Sequence, residues 1–261
     1  MIASFFRSLE ANRVEYLLIS GQAAVLYGAA VFSEDIDLRI NPSEESLSRV
    51  LLALRQNEAR YYKHTPELTL ANVSRGHGFH YLLPGQGGTY LDVMGTPPRV
   101  GEFPRAATRA NQMDTEWGRL PVVSILDLIE LKKTQRLEDY PVISRLVLEY
   151  CRRFAGTKTD ELIDWAMMHL FTLESLVEFI RGPWLTDFRY TGRYNEQVES
   201  VRKEINLLRG LSESLERGLT NWMQLRMAEH QAQDREYWKP VIGELRCLRA
   251  DRKLMEEGKP L

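Results

Sequence analysis

Val14–Ser20 (VEYLLIS) is a compact apolar run that ends at Gly21, and no other feature of the chain restricts its fold as much. Seven residues are too few for an ordinary buried helix, so the run reads as a buried strand. Gln22–Tyr27 then reads as a short helix with Gly28 as its stop. Asp35–Ile40 (DIDLRI) alternates polar with apolar residues, the mark of a strand with one open face. A buried strand, a short helix and a half-open strand in quick succession predict an α+β domain.

The rest of the chain extends that expectation. Residues 2–12 have the pattern of a short amphipathic helix. Asn41-Pro42-Ser43 ends the DIDLRI strand and caps a helix over 44–57. Leu68–Ser74, Phe79–Leu83 and Tyr90–Met94 read as strands, the last two joined as a hairpin by the turn Pro84–Gly88. Residues 99–121 read as loop-rich, with Trp117 and Pro121 as anchors. From Ser124, a good N-cap, the pattern becomes helical and is broken near Gly156, Gly182-Pro183, Gly192 and Lys239-Pro240. The composition shift predicts two domains: 1–121, a small mixed β-sheet flanked by helices, and 122–261, helical.

Composition removes several function classes. The chain has 261 residues, 44% hydrophobic and 27% charged, values of an ordinary globular protein. Its net charge of -2 provides no general basic field for nucleic acid. Cys151 and Cys247 show no metal-ligand spacing and read as reduced thiols. No stretch has the length and apolarity of a membrane span. The expected location is therefore cytoplasmic, with no membrane partner.

Asp35-Ile36-Asp37 is the centre of the chemical reading. On a strand, i and i+2 share a face, so the two carboxylates converge. Their mutual repulsion is relieved by a hard divalent cation such as Mg²⁺. Asp92, flanked by Leu91 and Val93, is a carboxylate in an apolar strand and a candidate third ligand. Ser20-Gly21 lies where backbone can approach an anion closely. Lys132 and Arg136, four apart on an expected helix, could hold phosphate from one face. His77 and His80 (GHGFH) form a weaker pair; a shared zinc lacks an evident third ligand. A plain reading stands beside each of these: solvated aspartates, an ordinary strand-to-helix turn, surface cations.

Together these residues resemble the nucleotidyltransferase superfamily named after DNA polymerase β. Its pattern is a strand, a Gly-Gly or Gly-Ser turn, an hDhDh pair and a later hDh carboxylate. Here these are TyrLeuLeuIle, Ser20-Gly21, Asp35-Ile36-Asp37-Leu38 and Leu91-Asp92-Val93. The segments GlyGlnAlaAlaValLeuTyrGly, Ser33–Leu38 and Asp127–Asp139 are similar to those of small bacterial AbiEii-type toxins. The resemblance spans roughly residues 12–145.

The resemblance implies transfer of a nucleoside monophosphate from an NTP to an acceptor hydroxyl by two-metal catalysis. Asp35, Asp37 and Asp92 would be both catalytic and metal-ligating, with Mg²⁺ or Mn²⁺ as cofactor. Ser20, Gly21, Gln22, Ser33, Lys132 and Arg136 would contact the nucleotide phosphates. The acceptor is open between tRNA, a protein and a small molecule, and a cognate antitoxin is an implied partner. Three positions depart from the pattern: Ser20 replaces the first glycine, Val31 an arginine and Glu138 a lysine. The last two remove positive charge, which favours the alternative of an inactive nucleotidyltransferase-fold module that binds or regulates. A third reading gives the function to residues 195–258, with Trp222, Tyr237 and Trp238, as a bundle for RNA or protein.

Overall fold

In the computed structural model, residues 2–85, 87–153, 158–208 and 210–261 are described. The turn residue Gln86 and the break at Gly156 lie outside them. The chain divides into two compact units. One comprises residues 1–26, 30–131 and 236–261, and the other residues 27–29 and 132–235.

The first unit contains α1 (Ile2–Ala11), β1 (Tyr16–Ile19), α2 (Ser20–Leu26), β2 (Ile36–Ile40), α3 (Glu44–Gln56), β3 (Arg60–Tyr61) and α4 (Leu70–Ser74). There follow β4 (Gly78–Leu83), β5 (Thr89–Met94), α5 (Phe103–Arg109), β6 (Asn111–Thr115), β7 (Gly118–Val122) and α6 (Ile125–Leu131). Among the described residues the strands form one seven-stranded sheet, in the order β3-β4-β5-β2-β1-β7-β6. It is mixed: β2 runs antiparallel to β1 and parallel to β5, and β1 runs parallel to β7. The expected α+β class holds.

Register fixes what each face carries. Val122, Leu18, Leu38, Val93 and Phe79 pair in one row across five strands, and all five are buried. Phe6 of α1 covers this face, its ring 5.9 Å from Tyr16 and stacked 5.5 Å from Trp117. The next row, one residue along each strand, points to the opposite face.

Two segments differ from the sequence reading. Leu68–Ser74 is not a strand: Thr69 accepts a hydrogen bond from the Asn72 N–H and caps α4. A seven-residue stretch such as LTLANVS does not separate helix from strand by pattern, and here the cap decides. Residues 99–121 are not mainly loop but hold α5 and the β6–β7 hairpin. Pro121 is compatible with β7 because that strand pairs with β1 only near its end, at Leu18–Val122. Trp117 is an anchor as expected. Ser43 caps α3 as expected, accepting from the Ser46 N–H.

The second unit is helical, with α7 (Asp139–Arg153), α8 (Asp160–His169), α9 (Leu173–Arg181), α10 (Asn195–Leu208) and the first part of α11 (Glu213–Ala250). Its core includes Tyr140, Ile143, Val147 and a Phe179–Trp184 stack at 5.3 Å. Burial pushes the Cys151 thiol up to about 12, so it remains an inert thiol. Composition placed one boundary near residue 121, whereas the chain crosses between units near 131 and returns at 236. No described helix is long and apolar enough to cross a membrane.

Candidate active site

The row of the sheet opposite the core holds the acidic residues singled out in the sequence. β2 lies between β1 and β5, so Asp37 pairs with Ile19 on one side and with Asp92 on the other. Asp92 in turn pairs with His80 of β4. Neighbouring strands are about 5 Å apart, so Asp37 and Asp92 hold their carboxylates side by side on one face. Both are half-buried. His80 Nδ1 lies 2.7 Å from Asp92 Oδ1, each side chain 30% exposed. Asp35 precedes β2 at a bend and is also half-buried. Nearby, Tyr62 and Tyr90 rings meet at 4.5 Å. A hydrogen bond with Tyr90 raises the Tyr62 phenol above its usual pKa, and the Asp35 charge adds to this.

The β1–α2 turn and the loop before β2 form a second cluster. The Gln22 side-chain amide donates to the Ser33 carbonyl at 2.8 Å. A Cβ at Gly21 would run into the Ser33 hydroxyl and lie 2.9 Å from its Cβ, so only glycine fits there. Ser20 has φ +58, the left-handed conformation that glycine adopts freely. For a serine this costs about 1–2 kcal/mol. Ser20→Gly should therefore raise stability by about 0.5–1 kcal/mol once the greater freedom of unfolded glycine is subtracted. An unchanged or lower urea midpoint would contradict this.

Over the acidic row lies a cavity of about 200 Å³. Asp37, Asp92 and His80 form its polar side. Its roof is the last part of α11, through Trp238, Val241, Ile242 and Leu245. That segment belongs to the same unit as the sheet and is fastened to it at several points. The Tyr237 hydroxyl donates to the Thr96 carbonyl at 2.6 Å. Glu244 accepts from Arg75 at 2.6 Å and lies 3.1 Å from Nε2 of the buried His77. Beyond the helix, the Met255 N–H donates to the Thr65 carbonyl, and Pro260 bridges Arg60 on the edge strand.

The expected site residues thus fall into three groups. Asp35, Asp37 and Asp92 lie along or beside one row. Ser20, Gly21, Gln22 and Ser33 meet in one turn cluster. Lys132 and Arg136 belong to the second unit and are not on a shared helix face, because α6 ends at Leu131. From the loop beyond it, both bind Asp139, at 2.9 Å each. Among the described residues, no three His, Cys, Asp or Glu side chains are grouped to hold a metal ion.

No protein-family model matches the chain, and no curated protein matches it. A crystal structure of a suggested nucleotidyltransferase from Thermotoga maritima, at 1.87 Å resolution, is similar to part of it. The match covers 48% of this chain and 76% of the other, at 16% identity and a TM-score of 0.36.

Two residues gain weight only in three dimensions. His80 alternates with Phe79 and Tyr81, which sets its face, but only the register with β5 brings it to Asp92. Arg39, two residues after Asp37, is fully buried beneath the same face. It donates to the carbonyls of Gly95 and Gly101 and lies over the Phe103 ring. Burial lowers its pKa. Its role is to tie β2 to the loop after β5, and a buried arginine in a strand offers no sequence signal for that.

Proposed function

We propose that the chain transfers a nucleoside monophosphate from an NTP to an acceptor hydroxyl. The observation that carries this reading is the in-register pairing of Asp37 with Asp92 on the cavity face. Two parallel carboxylates suit Mg²⁺, which takes one or two carboxylates and completes its shell with water and phosphate. Asp37 and Asp92 would hold it; Asp35, expected from the sequence as a third ligand, is not grouped with them closely enough to share it. Once bound, such an ion screens phosphate charge and lowers the pKa of a bound hydroxyl.

The protein's own groups do the rest. The Ser20-Gly21 turn, Gln22 and Ser33 would position the phosphates, Gly21 letting them approach the backbone. Asp92 would take the proton of the acceptor hydroxyl. His80, bonded to the same carboxylate, would fix its orientation. Lys132 and Arg136 neutralise Asp139. The direct test is incubation of the protein with each of four alpha-labelled NTPs and Mg²⁺ in cell extract. Label should pass to one acceptor class from a preferred nucleotide. The absence of label above an Asp92→Asn control, with all four, would overturn the reading.

A binding module without turnover is the second reading, favoured because Asp92 is already engaged by His80. Calorimetry separates the two: metal-dependent NTP binding supports transfer, and silence supports the module. A toxin role, with a cognate antitoxin as partner, belongs to the first reading by resemblance. Induced expression should then arrest growth, and the Asp92→Asn chain should not; equal growth of both cultures would remove the toxin role.

A further inference from the structure

Asp37, Asp92 and His80 on the polar edge of the cavity beneath α11 serve the transfer just described, but its apolar wall has no task in it. Ser20, Gly21, Gln22 and Ser33 do not line it. Asp37 separates the two places: it lines the cavity, and its partner across the sheet, Ile19, leads directly into Ser20. On the transferase reading, a nucleotide held at the turn would lie beside Asp37, next to the cavity.

We propose that this cavity is the acceptor subsite, and that the acceptor is a hydroxyl carried on an apolar, ring-sized body. The inference rests on the transferase reading for its chemistry and on the cavity alone for its ligand. Size is the first argument. An engineered apolar cavity of about 150 Å³ takes benzene, whereas sites for whole drug-sized ligands occupy about 300–1,000 Å³. At about 200 Å³ the space takes a substituted ring and no nucleotide. Lining is the second argument. Trp238, Val241 and Leu245 offer an aromatic and aliphatic wall facing Ile19 and Met94. A single polar edge, Asp37, Asp92 and His80, receives one hydroxyl. Charge is the third. No lysine or arginine is among the described lining residues, and two carboxylates are. A nucleic-acid acceptor, whose phosphates need cations, would find none here.

The step balances. The acceptor oxygen bonds to the α-phosphorus, the bond from that phosphorus to the bridging oxygen breaks, and pyrophosphate leaves with the bonding pair. The hydroxyl proton goes to Asp92. A free phenol and the tyrosyl side chain of a protein share the required chemistry.

The test uses the full chain and para-cresol. Added without nucleotide, para-cresol should shift the indole N–H resonance of Trp238 and raise the melting temperature. Val241→Trp, which fills the space, should weaken that binding about tenfold or more, and Leu245→Ala should shift preference toward naphthol. Folding of both variants is checked by circular dichroism. No response at Trp238 in the wild type, or equal para-cresol binding in folded Val241→Trp, overturns the proposal. With labelled NTP present, label on para-cresol or on a tyrosine-bearing protein supports it and names the source, whereas label on tRNA overturns it. Para-cresol that binds while no acceptor of any kind is labelled supports the cavity as a binding site and contradicts the transferase reading instead.

Discussion

Asp37→Asn is expected to reduce nucleotidyl transfer at least about a thousandfold while the protein remains folded. The substitution keeps shape and removes one of two paired negative charges. Losing charge stabilisation worth several kcal/mol at the reacting phosphate corresponds to about three powers of ten. The chain should remain folded, because asparagine keeps the size of the half-buried Asp37 side chain beside Asp92. The measurement is transfer rate together with the urea midpoint of the same preparation. A folded variant with more than about a tenth of wild-type activity would remove Asp37 from the chemistry.

Lys132→Met should destabilise the second unit by about 3 kcal/mol. The side chains of Lys132 and Asp139 are only 8% and 5% exposed, and their ion pair is 2.9 Å long. Removing one partner leaves the other charge buried, a loss of about 3–5 kcal/mol, here softened because Arg136 and Thr134 still bind Asp139. Pairing Lys132→Met with Asp139→Leu should recover most of the loss, because the buried charge is then gone. A single-variant loss below about 1 kcal/mol would show that the pair is not a structural requirement.

The same cluster sets an acid limit. Burial alone would raise the Asp139 pKa, but Lys132, Thr134 and Arg136 together hold it below the usual carboxylate value. A depressed folded-state pKa contributes stability above the unfolded value, about 3.9, and that contribution fades as pH falls through the folded one. Asp139→Asn should accordingly flatten the loss of stability with acid below about pH 4. An unchanged slope would contradict this.

The sequence made local features legible and left long-range ones open. The strand–helix–strand start was readable because VEYLLIS and DIDLRI each carry their pattern within a few residues. The three aspartates were readable as residue types in strand-like settings. Their mutual placement was not, since the pairing of β2 with β5 joins residues more than fifty positions apart and no local rule sets it. The β6–β7 hairpin is not legible because NQMDT, the edge strand, is polar and GRLPV contains a proline that argues against a strand. Lys132 and Arg136 read as a helix face because the helical period appeared to run on. The chain instead leaves the helix at Leu131, and Asp139 draws both cations in. The break expected at Lys239-Pro240 is absent, since α11 runs through Pro240 to Ala250, and an amphipathic pattern does not say which surface its last part covers. That it roofs Asp37 and Asp92 is visible only in three dimensions.

The central claim is that Asp37 and Asp92 share a divalent cation that also touches nucleotide phosphate. Anomalous diffraction from crystals grown with Mn²⁺ and a non-hydrolysable NTP analogue tests it most directly. A manganese peak bridging the two carboxylates, with the phosphates running toward Ser20 and Gly21, is the predicted result. Manganese bound elsewhere, with the carboxylate pair empty at full nucleotide occupancy, would contradict it.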